Sequence, residues 1–307
     1  MQIKQFLIAV CIGLMFAACS NSEDYFNSDD NVIRLTAQIE GMKTRVATNG
    51  NNLHKSWFEM DETISVYIKK TDGSNVEGIS GNCATYTVDD TGRMWSTETP
   101  LYPDDGSSVN IYALYPSSFT NTQTSFSVKN DQSSPEDYLA SDLMCAVKAG
   151  VSKSPAGPIT LSFKHCLSKV ILKIVTTGTD LVATDATSIY MDGARTSISL
   201  TQNQTTGITL GSPTGGNSGS IKMGETYSEG GLAAIVVPQT ISSGQMIFDF
   251  VLNGNICVYA SQDITFEPGC VHTITVTVNN DNVAITNYEI TDWTPGTNYD
   301  NEEGLYE

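Results

Sequence analysis

Seven cysteines, three histidines and a few acidic turns are the residues of this 307-residue chain whose types could do chemistry. The cysteines are Cys11, Cys19, Cys83, Cys145, Cys166, Cys257 and Cys270. No two are spaced as CxxC, so the paired knuckles of a zinc site are missing. His165 stands beside Cys166, the one place where a base and a thiol nucleophile meet in the sequence. Adjacent strand residues point to opposite faces, which parts these two side chains and favours a structural role for both. His54 falls in a loop pattern and His272 near the start of a strand pattern. The chain has no HExxH, GxSxG or phosphate-binding glycine loop. "DDTG" (89–92) and "PDDGSS" (103–108) carry carboxylates that could touch calcium, but they lack the EF-hand register and read as turns. No catalytic, cofactor-binding or metal-ligating set is therefore expected, and a hydrolase is the weakest of the readings considered.

Charge narrows the partners. Sixteen Lys and Arg against 34 Asp and Glu leave a net charge of −18. Such a surface repels nucleic acid and anionic lipid, and it also serves solubility. Setting aside Cys11 and Cys19 at the N-terminus leaves Cys83, Cys145, Cys166, Cys257 and Cys270, an odd number that cannot all pair within one chain. They read mostly as small buried hydrophobes, with a disulfide left open.

The N-terminus has the pattern of an exported protein. "MQIKQFLIAVCIGLMFAA" (1–18) carries one Lys and then an apolar run too short to span a bilayer, which reads as a secretory signal peptide. Cutting after Ala18 would place bulky Phe16 where the ordinary signal peptidase wants a small side chain. "FAAC" instead resembles a lipobox, although Leu is more usual than Phe at its first position. Cys19 would then become a lipidated N-terminus. Several acyl chains there would hold the protein on the outer membrane where one would not. Residues 19–31 are acidic and poor in apolar side chains, and read as a tether. The acidic run resembles a surface-export signal of Bacteroidota lipoproteins; a plain spacer is the other reading.

From Val32 onward the pattern is β. Short alternating runs such as "ETISVYIKK" (62–70) and "SVNIYALYP" (108–116) are separated by turn residues every 8 to 15 positions, which predicts β-sandwich architecture. "SSPEDYLASDLMCAVKAG" (133–150) predicts one helical turn before a strand. "GVSKSPAGPI" (150–159) suggests a boundary, giving an N-terminal unit over 32–157 and a C-terminal unit over 158–307. The chain is predicted to bend around His165 to Ser168, and "GSPTGGNSGS" (211–220) reads as a loop.

Several pieces together resemble one family. They are "TRVATNGNNLHKSWFEMDETISVYI" (44–68), "NIYALYPSS" (110–118), "ASDLMCA" (140–146), "LSFKHCLSKVILKI" (161–174) and "ITDWTPG" (290–296). The ordered Phe-Lys-His after a lipobox is the most specific of them. Met60-Asp61 departs from the family's usual Gly-Asp. The chain thus resembles a fimbrillin family lipoprotein of the Bacteroidota. The resemblance implies a pilus subunit of two tandem transthyretin-like Greek-key β-sandwich domains. It implies surface delivery as a lipoprotein, a cut by a trypsin-like protease after an Arg that follows the first strand, and donor-strand exchange with other fimbrial subunits. In this chain the matching bond is Arg45–Val46, with Lys43 and Arg34 as weaker alternatives.

The residues before that bond suit such a role on physical grounds. Ile33, Leu35, Ala37 and Ile39 alternate with Arg34, Thr36, Gln38 and Glu40, as in a half-buried strand. Its removal would expose an apolar slot and two unpaired edges that another strand could fill. Arg45 as an ordinary loop residue beside a permanent strand is the competing reading. So is a non-polymerising surface lipoprotein that binds host glycans or proteins. Stalk, tip and anchor roles all remain open at this stage, as does the identity of the donor segment.

Overall fold

Alternation between apolar and polar residues places strands along nearly the whole chain, because each such run can bury one face. The computed structural model describes residues 31–40, 58–153, 157–214, 219–226, 231–280 and 282–293. Cys19, Lys43, Arg45, Val46 and His54 lie outside the described residues. The fold is all-β. Its first strands are β1 (Leu35–Ile39), β2 (Thr63–Lys70), β3 (Ala84–Val88), β4 (Arg93–Trp95) and β5 (Val109–Tyr115). They are followed by β6 (Ser125–Ser127), the short helix α1 (Pro135–Ala140), β7 (Met144–Val151) and β8 (Ile159–His165). Helix α1 begins where its caps dictate. The Ser134 hydroxyl accepts the Asp137 N–H, Pro135 opens the first turn, and Glu136 and Asp137 face the helix's positive end.

Seven strands close on themselves in the order β1-β4-β3-β2-β5-β7-β8, the ring completed by β8 pairing with β1. The barrel interior is filled by the inward residues of each strand, among them Ile64, Val66, Ile111, Leu161 and Phe163. The sequence-based boundary at 157/158 lies just ahead of β8, and β8 is paired into this barrel with β1 and β7. The reason is local. "TLSFKH" buries Leu161 and Phe163 toward the barrel, and the chain turns away only at Cys166–Leu167.

The remaining strands are β9 (Ser168–Thr176), β10 (Thr187–Ala194), β11 (Ser197–Asn203), β12 (Gly207–Thr214), β13 (Gly219–Lys222), β14 (Gly224–Thr226) and β15 (Gly231–Val236). After them come β16 (Gln239–Ile241), β17 (Met246–Val251), β18 (Asn255–Tyr259), β19 (Ile264–Phe266), β20 (Cys270–Val278) and β21 (Val283–Asp292). A five-stranded sheet, β14-β15-β9-β20-β21, and a four-stranded sheet, β13-β10-β17-β18, share one apolar core that includes Leu172, Ile274, Met191 and Phe248. Part of the expected 211–220 loop is strand instead. Gly211 to Thr214 continue β12, with Pro213 opposite Ile198. Pro is tolerated there because β12 is an edge strand and needs no donor on its free side.

The two halves are stitched together. β6, from the first half, pairs with β11 through Phe126 opposite Ile198. The buried Gln132 amide donates to the Ile235 carbonyl at 2.8 Å and accepts the Ile235 N–H at 2.7 Å, completing a ladder with a side chain.

Candidate assembly site

β1 sits between two partners of opposite sense. It is antiparallel to β4, with Leu35 opposite Met94, and parallel to β8 over five residue pairs from Leu35–Ile159 to Ile39–Phe163. Further backbone bonds hold its ends. Ile33 donates to the Pro100 carbonyl at 2.8 Å, Ala37 to Gly92 at 2.8 Å and Glu40 to Phe163 at 2.8 Å. The Arg34 carbonyl accepts the Ile159 N–H at 2.8 Å, so this arginine is tied into the ladder.

The inward face is the one the alternation predicts. Ile33, Leu35 and Ile39 are buried in the barrel core, and Ala37 is half-buried against it. The outward face is polar and matched to β8. Thr36 and Thr160 hydroxyls lie 3.1 Å apart, Gln38 donates to the Ser162 hydroxyl at 2.8 Å, and Lys164 pairs with Glu40 at 3.2 Å. Gly92 makes close approach possible. Its φ is +81°, and a Cβ there would come within 3.0 Å of the Ala37 carbonyl.

The segments that carried the family resemblance converge in two clusters. In the first, Phe58 packs edge-on against Tyr115 and Phe163, with ring centroids 5.5 and 4.9 Å away. The Tyr115 hydroxyl donates to Glu62 at 2.8 Å, and burial followed by the Glu62 charge pushes its phenol far above the ordinary range. In the same turn the left-handed conformation falls on Asp61 (φ +69°), a residue type that tolerates it. Met60 therefore needs no glycine freedom and points to solvent.

In the second cluster His165 Nδ1 lies 3.0 Å from Asp142 Oδ1, and the His165 ring stacks on Trp293. All three are buried. His165 thus faces Asp142 and Trp293, while Cys166 faces Cys145, as strand alternation requires. The expected acidic turns are turns. Asp89 Oδ1 accepts from the Thr91 and Arg93 N–H groups, and Asp105 Oδ1 from the Ser107 N–H. The five cysteines differ from the expectation of burial. Cys257 is exposed and the other four are half-buried, all as free thiols.

Comparison with known proteins follows from this geometry. The fimbrillin-like family matches residues 44–293, most of the chain. A search of curated proteins returned no match. Among solved structures, a candidate cell adhesion protein from Bacteroides uniformis is similar at 22% identity and a TM-score of 0.63, covering 86% of this chain and 98% of that one. A candidate cell adhesion protein from Bacteroides ovatus is similar at 20% identity and a TM-score of 0.62, with 86% and 98% covered. At these identities the structures speak to the fold. The sequence match runs from Thr44 to Trp293, leaving β1 and the "FAAC" segment ahead of it and the last three residues of "ITDWTPG" after it, and on that match the chain belongs to the fimbrillin-like family.

Proposed function

We propose that this chain is a structural subunit of a surface fimbrium, non-enzymatic, exported as a lipoprotein through Cys19 and assembled by protease-triggered donor-strand exchange. A trypsin-like protease cuts between Arg45 and Val46, β1 leaves, and a strand from another subunit takes its place. Family membership supports the pilus or adhesion role.

The observation that carries the assembly step is the placement of β1. It fills a barrel core with three large side chains yet lies ahead of the segment shared with the family, which begins at Thr44. Burying Ile33, Leu35 and Ile39 contributes about 5–9 kcal/mol before chain entropy is subtracted. Loss of β1 opens that slot and frees the facing edges of β4 and β8. An incoming strand restores both, and because the donor and acceptor surfaces differ, each contact leaves the next site open and a filament grows.

The test is trypsin treatment of the lipidated protein from its native envelope. The expected result is loss of the peptide ending at Arg45, followed by ladders of SDS-resistant oligomers. Arg45→Ala is expected to stay full-length and monomeric, and Cys19→Ala to lose its lipid and its outer-membrane anchorage. Filaments from the Arg45→Ala variant that are indistinguishable from wild type would overturn cleavage at this bond.

A second reading, a non-polymerising surface lipoprotein that binds host glycans or proteins, draws on Trp95 and Tyr259. They are 53% and 58% exposed, and their rings are free to stack on a sugar face. A trimmed protein that stays monomeric and binds a glycan array would favour that reading.

A further inference from the structure

Strand β8 is held unevenly. It makes five register pairs with β1 but only two with β7, Met144–His165 and Cys145–Lys164. Just past its end, the Cys166 N–H donates to the Leu143 carbonyl at 2.8 Å. Cys166 lies two residues beyond Lys164, the partner of Cys145, so both thiols lie on one side of the β7–β8 ladder. Their sulfurs are 3.7 Å apart, in van der Waals contact. Both residues are half-buried and so keep some access to solvent. Gly207, at the start of β12, packs over Cys145: a Cβ there would stand 3.5 Å from the Cys145 sulfur, an ordinary van der Waals contact.

We propose that Cys145 and Cys166 form a dithiol modification site, which a disulfide oxidant converts into an intramolecular disulfide that staples β8 to β7. A disulfide bond is about 2.05 Å long, so closure moves the sulfurs by less than about 2 Å, within reach of side-chain rotation. The chemistry has an order. The Cys145 thiol is lowered to about 7, first by the hydrogen bond from Cys166 and, against burial, by the Ile208 backbone and Lys164, whereas the Cys166 thiol is raised. Cys145 thiolate therefore attacks one sulfur of the oxidant, RSSR, forming a mixed disulfide and expelling RS⁻. Cys166 then gives up its proton and attacks the Cys145 sulfur, forming the Cys145–Cys166 bond and expelling a second RS⁻. The two cysteines lose two electrons and two protons, and RSSR is reduced to two RSH.

The consequence for assembly rests on the function proposed above. Once β1 has left, β8 is an edge held to β7 by two register pairs, and the covalent link keeps that edge in register for the incoming strand. The oxidant class is available wherever exported proteins acquire disulfides.

The experiment incubates the full chain with oxidised glutathione, blocks remaining thiols with iodoacetamide and weighs the tryptic peptides. The expected product is peptide 130–148 joined to peptide 165–169, two hydrogens lighter than their sum, released by dithiothreitol and absent from Cys166→Ser. Carbamidomethyl groups on both Cys145 and Cys166 after oxidation would overturn the proposal, as would Cys145 recovered only as its glutathione adduct. A second measurement does not depend on the variant folding. Oxidised wild type is expected to melt on the order of 5 °C above reduced wild type, and equal melting temperatures would refute the staple. In protein already trimmed after Arg45, cleavage at Lys164 is expected to be about tenfold slower when oxidised. A disulfide that forms in protein whose β1 never leaves would sink the assembly reading and spare this site. The converse result, with β1 leaving while both thiols stay reduced, would do the reverse.

Discussion

The indole of Trp293 lies flat on the imidazole of His165, with ring centroids 4.0 Å apart and planes within 2° of parallel. Trp293 follows the last strand of the second half, and His165 ends the last strand of the barrel. Behind the imidazole, Asp142 accepts at Oδ1, while its buried Oδ2 has no hydrogen-bond partner. Trp293→Ala is expected to cost about 3–5 kcal/mol in denaturant unfolding, with Trp293→Phe retaining part of the stacking. His165→Ala leaves the Asp142 carboxylate buried and alone and should cost a similar amount. The Asp142→Ala/His165→Ala double variant should cost less than the sum of the two singles.

The two faces of β1 should respond differently to substitution. Leu35→Ala and Ile39→Ala remove buried side chains and are expected to cost about 2–5 kcal/mol each. Thr36→Ala and Gln38→Ala break exposed or half-buried side-chain bonds to β8 and should cost about 1 kcal/mol or less. Urea unfolding of the full chain measures both. Equal costs on the two faces would contradict the inward register.

Gly92 is where the chain accommodates β1 from the β4 side. Gly92→Ala places a side chain on a left-handed backbone and presses on the Ala37 carbonyl, so a loss of about 1–3 kcal/mol is expected. Hydrogen exchange should locate the extra opening at the Ala37 amide, whose acceptor is Gly92.

Acid should weaken the second half through His272. Its ring is buried, Nε2 accepts the Glu267 N–H at 3.0 Å, and Nδ1 meets the Tyr288 hydroxyl at 2.9 Å. Burial holds the imidazole below its ordinary value against the pull of the Glu267 carboxylate. An unfolded histidine takes up its proton near about pH 6.5, before the folded one does. The unfolded chain therefore binds more protons as pH falls below that point, and stability declines. Melting temperatures taken downward from neutral pH should fall less steeply in His272→Gln than in wild type.

Asp249 works in the opposite direction. Partial burial and then the neighbouring Asp192 push its carboxyl up to about 6. Its folded value exceeds the unfolded one of about 3.9, so its charge costs stability above pH 6 and that cost fades as pH falls toward 4. Asp249→Asn should gain up to about 1 kcal/mol at neutral pH, a figure reduced by solvent screening at this half-buried site. It should match wild type near pH 4, which paired thermal melts would reveal.

Much of this was legible in the chain itself. Ile33, Leu35 and Ile39 announce their buried face by alternation, and Ser134, Pro135 and Glu136 announce the helix start. The break between His165 and Ser168 and the turns at Asp89 and Asp105 could also be read directly. These are near-neighbour effects, set by backbone geometry within a few residues. The pairing partners were not legible. Nothing local says that β8 closes the first barrel, that β12 runs on through Pro213, or that the Cys145 and Cys166 sulfurs touch.

By itself the sequence determined an all-β chain, which faces of its strands are apolar, and the family to which residues 44–293 belong. Only the tertiary structure decided that β1 lies between β4 and β8, that Asp142, His165 and Trp293 meet, and that two of the five thiols are in contact. The division has a physical cause. Side-chain periodicity records how each strand meets an apolar interior, whereas neighbours more than 100 residues apart, such as Thr36 and Thr160, are chosen by how the whole barrel closes.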